Sequence, residues 1–577
     1  MRPHRQPTSP RTALLLYGLA AAATLATAAV VVGVHRESPR TAVSAHGLLH
    51  AAIALRFAET SATFSAPPEN PFFAGEPLPY YWAFQYAAAQ VGELLGTNPL
   101  RAIEALVLVA VGLVWLAGAA LGRRLYGGVG AGLAVGLLAF AGSNPWGAGI
   151  LGWRVLRDGA EVLADDPDFL WGIAHPAMGL ARHADPHCLY GPLLNFFLNT
   201  TSRPMALALL LVALLALLAW LRRGRPVAWV GLALAVALAT ASSPIVAGPA
   251  IPALGLGLLL ARPGRRGGGD SPWRGGVLPA LGALVLGGLL ALPTCHHLFG
   301  LGGQEGVRLG PRAAAAAPVA ASSALLLALA LAGALRSSGD RRRFALAVLS
   351  AGLVLLAASA LVELPVGNDT NFFHAGSLLL AVPAAGAFQP SRRPRSPWRG
   401  RLQLALVLLV FLPTPAVVVW AYLDRPPVPL DLSGPVLTRT PAGSPLERFY
   451  RWVRGETERD AVFVLDPGPP YVAAVGNIPE FPALTGRVLF TAYPTSYLVT
   501  PHAGAEARHA LALRLVQGAA PTPEQAASLA QLGRPLYLVI FEGGPPGALE
   551  RARALHGEPA FQLGASAAFR LTHGDSP

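Results

Sequence analysis

Two uninterrupted apolar runs, residues 12–34 and 402–422, constrain this chain more than anything else in it. Each is long enough to carry a helix across ~30 Å of hydrocarbon, for which ~20 residues suffice. Backbone groups in lipid must be satisfied within their own segment, so such runs fold as helices. The rest of the 577-residue chain keeps to the same regime: 53% is hydrophobic, 13% is charged and the mean hydropathy is +0.47. Soluble domains carry about 25% charged residues. The composition therefore predicts a polytopic α-helical membrane protein.

A net charge of +13 would ordinarily suggest nucleic acid as a partner, but its distribution excludes that reading. Every basic residue is Arg, and many fall in short clusters between apolar runs: Arg123 and Arg124; Arg222, Arg223 and Arg225; Arg262, Arg265, Arg266 and Arg274; Arg336, Arg341, Arg342 and Arg343. Alternate loops carry the clusters, which is the positive-inside pattern. Placing them in the cytoplasm gives about eleven spans, near 12–34, 102–121, 127–142, 205–221, 227–243, 246–261, 276–293, 313–335, 344–363, 374–390 and 402–422. The N-terminus is then cytoplasmic and the C-terminus extracytoplasmic, as expected for a multi-pass protein of a bacterial inner membrane. Residues 80–96 are apolar, but a full span there breaks the parity, so they are expected to form a re-entrant or interfacial helix. The first run has 23 uncharged residues, beyond the roughly 7–15 of a signal-peptide core, and reads as a retained anchor.

This topology leaves four outer regions: 35–101, 143–204, 294–312 and 364–373. Within the first, residues 45–59 mix Leu48, Leu49, Ile53 and Phe57 with His46, His50, Arg56 and Glu59, as in an amphipathic helix lying on a membrane. After Tyr422 the hydropathy drops. Residues 1–422 are read as the transmembrane domain and 423–577 as a periplasmic α/β domain. Strands are expected at 461–465 and 536–541, and helices at 446–454, 505–515, 523–532 and 547–555.

The chain has no P-loop and no GxSxG. One GxGxxG match, Gly147 to Gly152, follows an apolar span rather than a strand, the wrong context for a dinucleotide site. Nucleotide use and serine hydrolysis are thus disfavoured.

Residues 67–82 read Pro-Pro-Glu-Asn-Pro-Phe-Phe-Ala-Gly-Glu-Pro-Leu-Pro-Tyr-Tyr-Trp, too proline-rich for a helix. Gly47-Leu48-Leu49-His50-Ala51-Ala52, then this segment, then Arg123-Arg124-Leu125-Tyr126-Gly127 follow an order that resembles the GT-C superfamily. So do Gly367-Asn368-Asp369-Thr370-Asn371-Phe372-Phe373 and residues 452–487. Members of that superfamily are integral-membrane glycosyltransferases that use polyprenyl-phosphate sugar donors. The resemblance implies a lipid-linked sugar donor and membrane lipids as partners. It also implies a catalytic Asp just after the first span, where His46 stands instead. No cofactor is called for, and a divalent cation is left open. A lipid or polysaccharide transporter or flippase, and an inactive relative serving in assembly, are the competing functions.

Sugar transfer needs a base for the acceptor hydroxyl, tolerance of an oxocarbenium-like state and stabilisation of the leaving phosphate. His46 and His50, four residues apart, share a helix face and supply a base; the alternative is a polar face turned to water. Glu69, Asn70 and Glu76 sit in a loop stiffened by proline, either as positioned carboxylates or as a solvated turn. Tyr80, Tyr81 and Trp82 contact substrate or form an interfacial aromatic belt. Asn368, Asp369 and Asn371 form a polar loop between spans; Asp369 serves chemistry or caps the next helix. Arg203 and Arg182 can neutralise a phosphate, or Arg203 can snorkel to the surface. His183, His187, Cys188, Cys295, His296 and His297 match no zinc-finger spacing, so no metal ligand is assigned. A Cys188–Cys295 disulfide or two separate cysteines is expected.

Overall fold

The computed structural model describes residues 10–37, 46–161, 190–261, 273–295, 308–310, 313–364, 370–389, 405–424, 430–466, 472–473, 478–493, 496 and 498–571. Each of the eleven expected spans falls on an apolar helix. Eight are long and apolar enough to cross a membrane: Pro10–Glu37, Pro99–Tyr126, Arg203–Arg223, Val277–Cys295, Ala315–Arg336, Gly339–Leu361, Thr370–Phe388 and Ala405–Leu423. Val129–Ala141, Pro226–Ser242 and Pro244–Leu260 fall short of that length. At 1.5 Å per residue, the 13 residues of Val129–Ala141 rise only about 20 Å, so its expectation as a full span is corrected. Close approach compensates: a Cβ at Gly122 would overlap the Ala131 carbonyl, so only glycine lets these two helices touch there.

Five helices position the candidate site and are labelled α1 (Gly47–Glu59), α2 (Ala83–Leu95), α3 (Pro99–Tyr126), α4 (Arg203–Arg223) and α5 (Thr370–Ala384). α2, the expected re-entrant or interfacial helix, has 13 residues. α1 is not the surface helix its pattern suggests. Leu48, Leu49, Ala51, Ala52, Ile53 and Ala54 are all buried, and so are His50 and Arg56. It packs against α2, α3 and residues 478–485 of the C-terminal region, and its polar residues are turned into protein.

The C-terminal region carries a five-stranded sheet, β1 (Val462–Val464), β2 (Val488–Leu489), β3 (Leu536–Ile540), β4 (Phe561–Leu563) and β5 (Ser566–Leu571), in the order β4-β5-β3-β1-β2. β1 runs parallel to β2 and β3; the β4–β5 hairpin adds antiparallel to β3. β1 and β3 match the expected strands, and the four expected helices appear as Pro445–Glu456, Ala505–Val516, Pro523–Ala530 and Ala548–His556. Both faces of the sheet are buried. Val462, Val464 and Leu538 pack into a core of their own, while Phe463 and Tyr537 join the core continuous with the helical part.

β2 is an edge strand, and the proline-rich segment covers it. Leu489 N donates to Pro71 O at 3.0 Å, Ala74 N to Leu489 O at 3.0 Å and Ala492 N to Phe72 O at 2.9 Å. Covering the edge removes an aggregation template. The segment is pinned by its polar side chains. Arg534 Nη1 donates to both Glu69 oxygens at 2.6 and 2.7 Å, and Arg56 Nη2 donates to Glu69 Oε1 at 3.3 Å. Asn70, fully buried, donates from Nδ2 to Leu498 O at 2.7 Å and accepts from Phe72 N at 3.0 Å. Glu76 lies 3.6 Å from His502 and 3.9 Å from Arg508. Gly75 supplies the turn, with φ of +77°, and its N–H donates to Glu69 Oε2 at 2.9 Å.

Glu69→Gln and Arg534→Met should each lower the thermal midpoint of the detergent-solubilised protein. In a double-mutant cycle the two should couple by about 0.5–3 kcal/mol, the range for contacting charged pairs. A coupling near zero means that the backbone ladder alone holds the segment.

Candidate functional site

The polar centre of the molecule gathers where α4 begins. The segment leading into it, Asn195-Phe196-Phe197-Leu198-Asn199-Thr200-Thr201-Ser202-Arg203, is buried throughout. Tyr422 O–H donates to Asn195 Oδ1, and Asn199 Nδ2 donates to the Tyr422 hydroxyl at 2.7 Å. The Thr200 and Thr201 hydroxyls are buried without a partner. Arg203 follows, 7% exposed, with its guanidinium 5.0 Å from the Phe196 ring centroid. It makes no ion pair and no hydrogen bond with any described residue. This corrects the reading of Arg203 as a snorkelling anchor: the side chain stays inside. Arg203 is also the first residue of a 21-residue helix, whose free N–H groups and dipole favour an anion.

Two buried histidines lie within electrostatic reach of that guanidinium, His50 on α1 and His374 on α5. The His374 Nδ1–H donates to Thr370 O at 2.7 Å, and its ring meets Phe196 edge-on at 4.3 Å. Tyr190 stacks on Phe373 at 4.5 Å. Asn371, one turn before His374, is fully buried. The His50 ring is T-shaped to Tyr80 at 5.9 Å and Phe84 at 5.8 Å, and it lies 6.3 Å from His46, the residue capping α1. Burial, with the Arg203 charge adding to it, pushes the His50 imidazole down to about 3. His50 is thus neutral at physiological pH, an acceptor rather than a strong base.

Tyr80, Tyr81 and Trp82 are buried, which corrects the aromatic-belt alternative. The first two rings stack at 4.2 Å, Tyr80 O–H donates to Tyr81 at 2.9 Å, and the Tyr81 hydroxyl lies 3.0 Å from Ser202 Oγ. Trp82 Nε1 donates to Phe64 O at 3.0 Å. The segment 67–82 therefore has two ends with different employment. Glu69, Asn70 and Glu76 face the C-terminal region, while Tyr81 reaches Ser202, the residue before Arg203.

Asn368, Asp369, Arg182, His183, His187, Cys188, His296 and His297 lie outside the described residues, and with them the Cys188–Cys295 pairing. Cys295 itself is buried. Among the described residues no three His, Cys, Asp or Glu side chains group as metal ligands. The GxGxxG match opens the helix Gly147–Asp158. His374, Gln85, Thr200 and Thr201 were not singled out in sequence. A lone His in an expected span was the available signal for His374.

With this geometry in place, solved structures supply the comparison. The apo ArnT of Cupriavidus metallidurans superposes with a TM-score of 0.50 over 97% of this chain and 98% of that one, at 13% identity. ArnT from the same organism bound to undecaprenyl phosphate gives 0.50 at 13% identity, over 99% of each chain. The apo oligosaccharyltransferase of Archaeoglobus fulgidus gives 0.47 at 11% identity, over 90% of this chain and 69% of that one. The chain has a GT-C-like fold. No family model and no curated protein matches the sequence. The ArnT matches run nearly end to end, so they take in the helical part and the C-terminal sheet together.

Since His50 is depressed in the folded protein, its neutral form contributes stability above the unfolded value of about 6.5, and that stability is lost as pH falls toward about 3. Thermal melts between those limits should fall more steeply for wild type than for His50→Gln. The difference approaches ~1.4 kcal/mol per pH unit, one proton's worth. Equal slopes would show that His50 is protonated in the fold.

Proposed function

We propose that this protein is a glycosyltransferase that moves a sugar from a polyprenyl-phosphate-linked donor to an acceptor at the outer face of a bacterial cytoplasmic membrane. One observation carries the reading: Arg203 is a buried cation with no described counter-charge, at a helix N-terminus beside two partnerless threonine hydroxyls. An isolated buried charge is costly until an anion meets it. A guanidinium fork with hydroxyl donors suits a phosphate. ArnT, which the chain resembles in fold, has been solved with undecaprenyl phosphate bound, which supports a lipid phosphate as that anion.

In this reading Arg203 stabilises the phosphate as the bond to the anomeric carbon breaks. His50 on α1 and His46 just before it, with Asn371 on α5, orient sugar and acceptor. Asp369, immediately before α5 in sequence, supplies the carboxylate base. Tyr80, Tyr81 and Trp82 wall the donor site, and Asn70, Glu69 and Glu76 hold the segment that carries them. Residues 1–422 form the membrane domain with a cytoplasmic N-terminus, and 423–577 the extracytoplasmic domain.

Purified protein in lipid nanodiscs should bind undecaprenyl phosphate, and membranes containing it should transfer radiolabelled sugar from a polyprenyl-phosphate donor. Arg203→Met should lose binding by at least about tenfold, and Arg203→Lys should keep part of it, a point charge in place of a fork. Wild-type affinity in Arg203→Met overturns the assignment. Lipid translocation without sugar transfer would favour a flippase.

A further inference from the structure

The least expected polar contact in the core joins α1 to α2. Gln85 is fully buried on a helix whose Gln90 and Glu93 are exposed, and it meets the His50 imidazole at 2.5 Å. The amide orientation follows from its other neighbours. Gln85 Nε2 donates to the Tyr81 carbonyl at 3.0 Å and the Trp82 carbonyl at 3.2 Å. Turned over, the amide would set its oxygen against two carbonyl oxygens. The Gln85 oxygen must therefore face His50 Nδ1, and an oxygen can only accept, so Nδ1 carries the proton. A second proton on the ring would be a buried cation facing Arg203. Nε2 is left as a bare lone pair, and it is buried with no partner.

We propose that Gln85 is a positioning residue that locks His50 in the Nδ1–H tautomer, so that Nε2 accepts a hydrogen bond from a hydroxyl group of the sugar-bearing substrate. This rests on the glycosyltransferase reading. The two groups then divide the substrate by charge. A bare imidazole nitrogen repels an anion and takes a hydroxyl; the Arg203 guanidinium does the reverse. Tyr80, Phe84 and His46 close the remaining sides of the ring. No proton is transferred in this role, which suits an imidazole in surroundings that oppose its protonation.

The test uses the full-length protein in nanodiscs with ¹⁵N-labelled histidine, the His50 signals being assigned by their loss in His50→Gln. Wild type should show one protonated and one bare ring nitrogen, the bare one being Nε2, from pH 5 to 8. Gln85→Leu should release the second tautomer and lower kcat/KM for sugar transfer by about 10–100-fold, the usual effect of losing such a supporting group. His50→Gln, whose side-chain amide reaches the Nε2 position, should keep more activity than His50→Asn, which reaches only Nδ1. If Gln85→Leu does not fold, Gln85→Asn withdraws the same oxygen by one methylene and is read the same way. A protonated Nε2 in wild type, or an unchanged tautomer in the Gln85 variants, overturns the lock. A released tautomer with undiminished transfer overturns its role, while loss of lipid-phosphate binding in Arg203→Met keeps the parent reading intact. Lipid-phosphate binding unaffected by Arg203→Met brings down the parent reading even where the lock is seen.

Discussion

The arrangement of this molecule hangs on one carboxylate held between two guanidiniums. Glu69 is gripped by Arg56 of α1 on one side and by Arg534, just ahead of β3, on the other. None of the three is fully free to solvent, so the attraction is screened less than a surface pair would be. Replacing Glu69 would leave the two guanidiniums as poorly compensated like charges in the seam between helices and sheet. The same junction explains why most of α1, Arg56 included, is buried. Its Arg56 donates to Gly486 O at 2.9 Å, and Glu59 at its end meets Arg487 at 3.3 Å. The polar side of the helix is satisfied by the C-terminal region rather than by water.

At the centre, the described residues place one buried guanidinium, that of Arg203. A guanidinium inside protein raises the cost of any further cation nearby, and the histidine on α1 answers by staying neutral. Buried hydroxyl and carboxamide side chains crowd the segment before Arg203, Asn195, Asn199, Thr200, Thr201 and Ser202, and Asn371 is buried on α5. The aromatic rings of Phe196, Tyr190 and Phe373 supply flat apolar walls beside them.

Much of the helical part could be read from the sequence, because apolar runs bounded by Arg clusters admit few alternatives in lipid. Each of the eleven runs is an apolar helix, although 129–141 is too short to span unaided. The strands at 462–464 and 536–540 are legible as apolar, β-branched and aromatic runs; the 561–571 hairpin is not, since Phe561-Gln562-Leu563 alternates over only three residues and Ser566-Ala567-Ala568 breaks the period. The misreading of α1 has a definite cause. Periodicity reports which residues are polar, not whether water or another part of the chain satisfies them, and Arg56 and Glu59 are matched by residues some 400 positions away. Glu69 and Glu76 were conspicuous for the same reason: a proline-stiffened carboxylate looks alike in sequence whether it faces a substrate or an arginine. Gln85 carries no sequence signal of its own, because nothing in the pattern separates it from Gln90 and Glu93 of the same helix, which are exposed.

These contacts are mechanically in series. The backbone that bonds to β2 through residues 71–74 runs on, through Pro77 and Pro79, to Tyr81 and Trp82, whose carbonyls fix the Gln85 amide. Prolines remove much of the freedom that would otherwise absorb a displacement along such a stretch. The sheet edge, the carbonyl pair, the amide and the imidazole thus follow one another along a single run of contacts. The Tyr81 hydroxyl, 3.0 Å from Ser202 Oγ, ties the same stretch to the residue before Arg203. The C-terminal sheet and the buried cation are thus linked by one short, stiff piece of chain, and the seat of His50 depends on how that piece is docked.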